Sequence, residues 1–206
     1  MTNHLTKPIL AIHFMVLAFL MTLSSPVAAQ DLRKGRVAYE AGDYATAIKE
    51  WMPLAEAGDA LAQNSLGFMY NNGNGVLQDY KEAAKWYRLA AEQGIASAQT
   101  NLGNKYKFGE GVLQDYKEAV KWYRLAAEQG SAAAQTNLGF MYESGVSVLQ
   151  DKTMTHMWYN IASANGFEKA GEFRDELAGL MTSADISKAQ AMARECINSG
   201  YTKCGY

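Results

Sequence analysis

Apolar side chains recur at helical spacing in two nearly identical segments that lie 36 residues apart. In the first segment the apolar positions fall at i, i+3, i+4, i+7 and i+8, which places them on one stripe of a helix. The residues of this stripe are Ala83, Trp86, Tyr87, Ala90 and Ala91. The charged side chains between them lie off the stripe and are expected to face solvent. The pattern predicts an amphipathic helix that buries a row of aromatic side chains.

The ends of these helices carry recognisable signals. Asp79 and Asp115 are suitable N-caps, and Glu82 and Glu118, three residues later, predict a capping box at each start. Gly94 is expected to end the first of the two helices, because glycine adopts the left-handed conformation at low cost. A second helix is predicted to follow almost at once, and a glycine-rich turn then leads into the next unit.

The whole pattern repeats with a period of 36 residues. Two ladders of identical residues step by this interval, namely Asp43, Asp79, Asp115 and Asp151, and Gly58, Gly94, Gly130 and Gly166. A period of this length is typical of stacked-repeat proteins, in which each unit buries its apolar face only against its neighbours. The sequence therefore predicts an all-α fold, a right-handed α-solenoid of about four to five tandem helix-turn-helix repeats, with about ten helices over roughly residues 31–198.

The two ends of the array are less regular than its centre. At the start, a short helix is predicted over Gly35–Gly42 and a second over Asp43–Ala57. At the far end, residues 167–181 predict a divergent first helix. Thr182, with Asp185 as its partner, is a suitable N-cap for a last helix. We expect that helix to be the polar-backed cap that a solenoid needs at its open end.

The first 29 residues have the three-part layout of a secretory signal peptide. An apolar run of 15 residues, Ile9–Leu23, is followed by small residues, with Val27 and Ala29 at the −3 and −1 positions of a cleavage site. The run is shorter than the roughly 20 residues that a spanning helix needs, although an uncleaved anchor is the alternative. We therefore expect residues 1–29 to be removed and the mature protein to be exported, to the periplasm or the medium, without stable membrane insertion.

Removal of this segment, which holds one lysine and no carboxylate, changes the net charge from −2 to −3. A mildly acidic protein has no general electrostatic attraction to nucleic acid or anionic lipid, so nucleic-acid binding is disfavoured. The mature chain is predicted to consist of a solenoid domain, residues 30–198, and a tail, residues 199–206. Cys196 and Cys204 are expected to pin that tail with a disulfide, because nearby cysteines pair in an oxidising compartment. The alternative, a redox pair, usually has closer spacing.

The third copy of the repeat departs from the other two. Ser147 stands where they have Gly75 and Gly111, so the turn is expected to shift, at a cost of about 1 kcal/mol, if that position needs a positive φ. Met154, His156 and Met157 follow in a less regular helix. Two interpretations remain open: drift near the end of the array, or a patch specific to a partner.

These motifs resemble the Sel-one-like repeat family, relatives of the tetratricopeptide repeats. The family pattern of leucine-glycine, tyrosine, glycine-x-glycine-valine, aspartate, tryptophan-tyrosine and alanine-alanine is met almost in full by Ala62–Gly94 and Ala98–Gly130, and partly by Ala134–Gly166. The resemblance implies a curved α-solenoid that mediates protein–protein contacts, often as an adaptor or regulator in the bacterial envelope or as a secreted factor. Members linked to penicillin binding carry a disulfide in every repeat, and no repeat of this chain contains cysteine.

Motifs for catalysis, metal binding or a cofactor are missing from the sequence. Only His156 remains in the mature chain, so histidine-based zinc motifs cannot form, and the common serine-acylase motifs do not occur. The tryptophans at positions 86, 122 and 158 are expected to pack between repeats, although a ligand-stacking row is the alternative. We therefore predict a non-enzymatic interaction scaffold or regulator of the bacterial cell envelope. The alternatives are an envelope hydrolase or β-lactam-binding protein and a structural component of an envelope machine.

The predicted binding surface is the concave face, which the family's geometry lines with outward positions of the first helix in each unit. Those positions are Asn64, Phe68, Asn71, Thr100, Asn104, Lys107, Thr136, Phe140 and Glu143. Exposed rings provide anchors, and amide and hydroxyl groups can bond a peptide backbone, so a protein or peptide partner is expected. The competing interpretation is that Phe68 and Phe140 pack against adjacent helices.

Overall fold

A computed structural model describes residues 26–205 of the chain, and this range is entirely helical apart from turns and the tail. The ten helices within it are α1 (Pro26–Glu40), α2 (Tyr44–Glu56), α3 (Ala60–Asn72), α4 (Tyr80–Glu92), α5 (Ala96–Phe108), α6 (Tyr116–Ala127), α7 (Ala132–Ser144), α8 (Lys152–Ala164), α9 (Glu168–Ala178) and α10 (Ser183–Asn198). The predicted signal peptide, residues 1–29, lies outside the described residues except for 26–29, which belong to α1.

Consecutive helices pack into hairpins, and the hairpins stack in chain order. Within a hairpin α1 contacts α2, α3 contacts α4, α5 contacts α6 and α7 contacts α8. Each second helix then contacts the first helix of the next hairpin, from α2 with α3 to α8 with α9. This arrangement confirms the predicted α-solenoid of tandem 36-residue repeats.

A glycine in each first helix lets the aromatic row of the second helix come close. A Cβ atom on Gly103 would lie 2.6 Å from the ring of Tyr123, so the ring occupies the space that a side chain would fill. The same pairing recurs between Gly67 and Tyr87, Gly139 and Tyr159, and Gly35 and Trp51. The three repeat tyrosines and the tryptophans at positions 86, 122 and 158 are buried. The packing interpretation of these rings is therefore confirmed.

The N-caps form as predicted, but the capping boxes do not. The carboxylate of Asp79 accepts the backbone N–H groups of Lys81 and Glu82, at 2.8 and 3.1 Å. Its own N–H donates to the carbonyl of Tyr70 at 3.0 Å, so no donor is left for Glu82, which pairs with Lys85 instead. Asp115 repeats this arrangement. The prediction of a reciprocal box was wrong because the preceding helix takes the N-cap N–H.

The turn in the third repeat keeps its shape although its glycine is replaced. Ser147 has a φ of +65°, close to +72° at Gly75 and +75° at Gly111. The expectation that the turn shifts was wrong. Two bonds shared by all three repeats hold the loop: the N–H of Asp151 donates to Tyr142, and the Gln150 amide donates to the carbonyl of residue 143. Ser147 therefore carries the cost of a left-handed residue with a side chain.

The start of the array departs from the prediction, whereas the far end follows it. Helix α1 begins at Pro26, well before the expected start at Gly35. Helix α10 begins at its predicted cap, where the Thr182 hydroxyl accepts the N–H of Asp185 at 3.2 Å. It packs against α8 rather than beside α9, and so covers the last full repeat. Cys196 and Cys204 are joined in a disulfide, with their Cα atoms 4.5 Å apart.

Each helix in the described part of the chain is too short or too polar to cross a bilayer.

Candidate binding surface

The first helices of the hairpins form a surface with three hollows, which we call the first-helix face. The first hollow lies between α1 and α3 and has a volume of about 530 Å³. The second lies between α3 and α5, with about 290 Å³, and the third between α5 and α7, with about 450 Å³. A row of hollows spaced one repeat apart suits an extended partner better than a compact ligand.

The first hollow is mainly apolar, with cationic side chains at its rim. Phe68 is 42% exposed, and its ring meets Tyr39 edge-on with the centroids 6.0 Å apart. Arg33 and Arg36 are exposed at the rim, and Arg36 donates to Glu40 at 2.9 Å. The Oδ1 atom of Asn64 is buried and has no hydrogen-bond partner. This hollow therefore combines an aromatic wall with an unused acceptor.

The second hollow is polar and contains an ion pair between a buried lysine and a half-buried glutamate. Lys105 stands where the neighbouring repeats have Met69 and Met141, and its ammonium group lies 2.6 Å from a carboxylate oxygen of Glu110. The same ammonium group lies 4.4 Å from the centre of the Tyr80 ring. Loss of Glu110 would leave the buried ammonium group of Lys105 without its carboxylate partner.

The third hollow centres on Phe140, which is 36% exposed. Its ring packs against Tyr159 and Phe173, with centroids 5.6 and 5.3 Å away. The nitrogen of Lys107 lies 5.6 Å from the centre of the same ring, and burial lowers the pKa of this lysine. Glu143 accepts the Tyr159 hydroxyl at 2.7 Å, and burial together with that carboxylate raises the pKa of Tyr159.

Two of the nine predicted surface residues are misplaced. Thr100 and Thr136 are each only 6% exposed, because they face the next hairpin rather than the hollows. Their hydroxyls donate to backbone carbonyls four residues earlier, and that of Thr100 also bonds Ser131 at 3.1 Å. These two threonines therefore serve the packing of repeats and offer nothing to a partner.

The other seven residues are at least partly exposed and fall into separate groups. Asn64 and Phe68 line the first hollow, Asn71 and Asn104 the second, and Lys107, Phe140 and Glu143 the third. Asn104 is already engaged, since it accepts the Tyr123 hydroxyl at 2.7 Å. Both interpretations of the phenylalanines hold in part, because each ring packs on a neighbour and also presents surface.

The divergent third unit does not form the partner-specific patch considered above. Met154, His156 and Met157 are buried, with at most 6% of each residue exposed. Burial and the nearby Arg174 lower the pKa of His156, and its Nδ1 atom has no hydrogen-bond partner. The longer apolar side chains in this helix are covered by α10 and the tail. Their irregular pattern reflects the cap and not a surface site.

A ladder of hydrogen-bonded amide side chains, which was not predicted from the sequence, connects successive repeats. Gln99 donates to the carbonyl of Ala91 at 3.1 Å and accepts from Gln129 at 2.8 Å. The same bonds recur one repeat away on both sides, through Gln63 with Gln93 and through Gln135 with Asn165. The hydroxyl of Tyr201 in the tail donates to Asn165 at 2.9 Å and ends the ladder. The 36-residue spacing of these glutamines was the signal available in the sequence.

Among the residues that the structure describes, no three His, Cys, Asp or Glu side chains are grouped so that they could hold a metal ion. In the second hollow Lys105 pairs with Glu110, and in the third Glu143 accepts the Tyr159 hydroxyl while Lys107 donates to Asn137.

Comparisons with known proteins agree with this architecture. A family model described as Sel1 repeat matches residues 60–95, 96–131 and 132–167. A Sel1 repeat protein from Oxalobacter formigenes is 36% identical, with a TM-score of 0.64, over 68% of this chain and 56% of that protein. A protective antigen of uropathogenic Escherichia coli strains, which displays an SLR fold, is 32% identical, with a TM-score of 0.71, over 87% of this chain and 38% of the antigen. The chain thus spans about half or less of the length of these structures. No curated protein matches it.

Proposed function

Because the chain belongs to the Sel1 repeat family, we propose that it is a non-enzymatic scaffold or regulator that holds a protein or peptide on its first-helix face. Sel1-repeat proteins are generally protein-interaction scaffolds. The observation that carries the proposal is the pair of aromatic anchors, Phe68 and Phe140, which stay 42% and 36% exposed beside hollows large enough for side chains. Partly exposed rings in hollows are typical anchors of peptide recognition.

We place this function in the bacterial cell envelope, with the periplasm or the medium as the compartment. The support is the disulfide between Cys196 and Cys204, since such bonds persist in oxidising compartments. The apolar segment at residues 1–29 would direct export and be removed. Residues 30–198 would then form the solenoid domain, and residues 199–206 a tail that the disulfide holds in place.

The test compares two pairs of substitutions with similar loss of exposed apolar surface. Phe68→Ala with Phe140→Ala removes the anchors, whereas Leu89→Ala with Leu125→Ala removes leucines of 38% and 39% exposure on second helices. Each protein, tagged and exported, is crosslinked in the producing cells and its partners are identified. The anchor variant is expected to lose the wild-type partner while its circular dichroism is unchanged, and the leucine variant is expected to retain it.

Equal recovery of the partner by the anchor variant and the wild type would contradict the proposal. Loss of the partner in the leucine variant alone would assign the binding surface to the second helices.

A further inference from the structure

Three leucines at the same position of successive repeats stand almost free of the protein. Leu77, Leu113 and Leu149 are 90%, 91% and 88% exposed, and they lie in the turn that joins the two helices of each hairpin. Leu180, 69% exposed, occupies the corresponding turn between α9 and α10. We call this row the leucine edge. The leucines of this edge are far more exposed than the two phenylalanines of the first-helix face.

The fold makes no use of these side chains. In the first turn Gln78 bonds the carbonyl of Asn71 at 2.8 Å and Asp79 caps α4, so the neighbours of Leu77 fix the turn. The other two turns contain the same bonds. A polar residue at the leucine position would serve the structure equally well and would favour solubility. The leucines therefore indicate a contact outside the chain.

The arrangement of the edge does not suit a protein partner or a second copy of this chain. Stable protein interfaces bury about 800 Å² on each side and need a continuous, closely packed centre of roughly 20 to 30 residues. The leucines are single protruding side chains, one repeat apart, with polar residues such as Gln114 and Asp115 between them. A bilayer makes no such demand, because each apolar side chain can enter it separately.

Cationic side chains accompany the leucines. Lys81, Lys117 and Lys152 each lie in the first turn of the helix that follows a leucine, and all three are exposed. Lysines beside inserted apolar side chains can extend to lipid headgroups, and each one near an anionic surface adds attraction. The aspartates of the same turns are held by backbone N–H groups, as Asp151 is at 2.8 Å from Thr153. Glu82 and Glu118 lie in the same first turns, and Lys152 donates to the carbonyl of Leu180 at 3.3 Å. The edge therefore combines apolar tips with charges of both signs, and the leucines rather than a net positive charge carry the contact.

We propose that the leucine edge is a peripheral contact site for a phospholipid surface, which the protein touches without spanning it. Leu77, Leu113 and Leu149 enter the interfacial layer, and the lysines contact the headgroups. The first hollow is lined by residues of α1, α2 and α3 and by none of the turns, so it remains free in this orientation. The proposal does not depend on the identity of any protein partner.

The experiment is flotation of the exported, disulfide-bonded protein with vesicles of phosphatidylcholine and phosphatidylglycerol in a 3:1 ratio. The protein is expected to float with the vesicles. Leu77→Ser, Leu113→Ser and Leu149→Ser, combined in one variant, are expected to reduce the partition coefficient at least tenfold, with an unchanged melting temperature because these side chains are not packed. Lys81→Gln with Lys117→Gln is expected to weaken binding to these vesicles but not to vesicles of phosphatidylcholine alone.

The matched control is Val37→Ser with Leu61→Ser, which removes apolar side chains of 59% and 56% exposure away from the edge and should leave flotation unchanged. All variants share the same amino terminus, so that segment cannot cause a difference between them. The proposal is overturned if the wild type stays with the soluble fraction or if the leucine variant floats equally well. It is also overturned if sedimentation shows a wild-type dimer that the leucine variant cannot form, since the occupant would then be a second copy.

Discussion

A glycine-to-serine substitution is predicted to destabilise the protein by different amounts at two turns with the same backbone conformation. The reason is that only one of the two glycines lies against the backbone of the preceding repeat. Gly42 and Gly111 have nearly the same φ, +76° and +75°. A Cβ atom at Gly42 would meet nothing within 4 Å, whereas at Gly111 it would overlap the backbone carbonyl of Tyr80 in the preceding repeat. Gly42→Ser should therefore cost up to about 1 kcal/mol, which is the cost of the left-handed conformation less the entropy that glycine loses on folding. Gly111→Ser adds overpacking against backbone, about 1–3 kcal/mol more.

The third repeat supplies the reverse experiment. Ser147 already carries the left-handed cost, at a φ of +65°, so Ser147→Gly should stabilise the protein by up to about 1 kcal/mol after the greater entropy of glycine is subtracted. Urea unfolding followed by circular dichroism at 222 nm measures all three changes. Equal destabilisation by Gly42→Ser and Gly111→Ser would refute the close-approach argument. Destabilisation by Ser147→Gly would refute the strain at that turn.

Three further predictions concern buried polar groups and the tail. Gln99→Ala should cost about 1–3 kcal/mol in urea unfolding because it leaves the buried carbonyl of Ala91 unsatisfied. Gln129→Ala should cost about 1 kcal/mol, because Gln129 is exposed and water can replace its bond to Gln99. The pKa of His156 is lowered in the folded protein, so the unfolded chain binds a proton at higher pH than the folded one. The free energy of unfolding should therefore fall as the pH decreases below 6.5. His156→Gln should reduce this dependence between pH 7.5 and 5.5. Cys196→Ser combined with Cys204→Ser should lower the free energy of unfolding by roughly 2–3 kcal/mol. Reduction of the wild-type disulfide should lower the melting temperature to that of the double variant.

The periodic features of the fold were predictable because they depend on local patterns that recur. The apolar stripe, the aspartate N-caps and the glycine ladder each depend only on residues within one repeat or the next. The helices of the structure begin and end where these patterns predict. The capping boxes failed because the Asp79 N–H is taken by Tyr70, a contact across the hairpin turn that a helix-start motif does not contain. The packing of α10 on α8 was also not predictable, because the spacing of apolar residues along the chain does not say which earlier helix the last helix contacts.

The binding surface was predicted less well than the fold. Sequence spacing places residues on a face of a helix but does not say how far the next hairpin covers that face. Thr100 and Phe68 were both predicted to face outward from a first helix. In the structure Thr100 is buried and bonded to Ser131, whereas Phe68 borders an open hollow. The ion pair of the buried Lys105 with Glu110 was missed because the sequence alone does not show that a charged residue at a methionine position has a partner.

The central claim is that a partner lies along the first-helix face of the stacked hairpins. The most direct measurement places the photocrosslinker p-benzoylphenylalanine at position 68 or at position 125, in separate proteins, and irradiates the cells that produce them. Position 68 borders the first hollow, and position 125 is a comparably exposed site on the second helix α6. We predict a discrete adduct from position 68 and none from position 125. An adduct confined to position 125 would contradict the account.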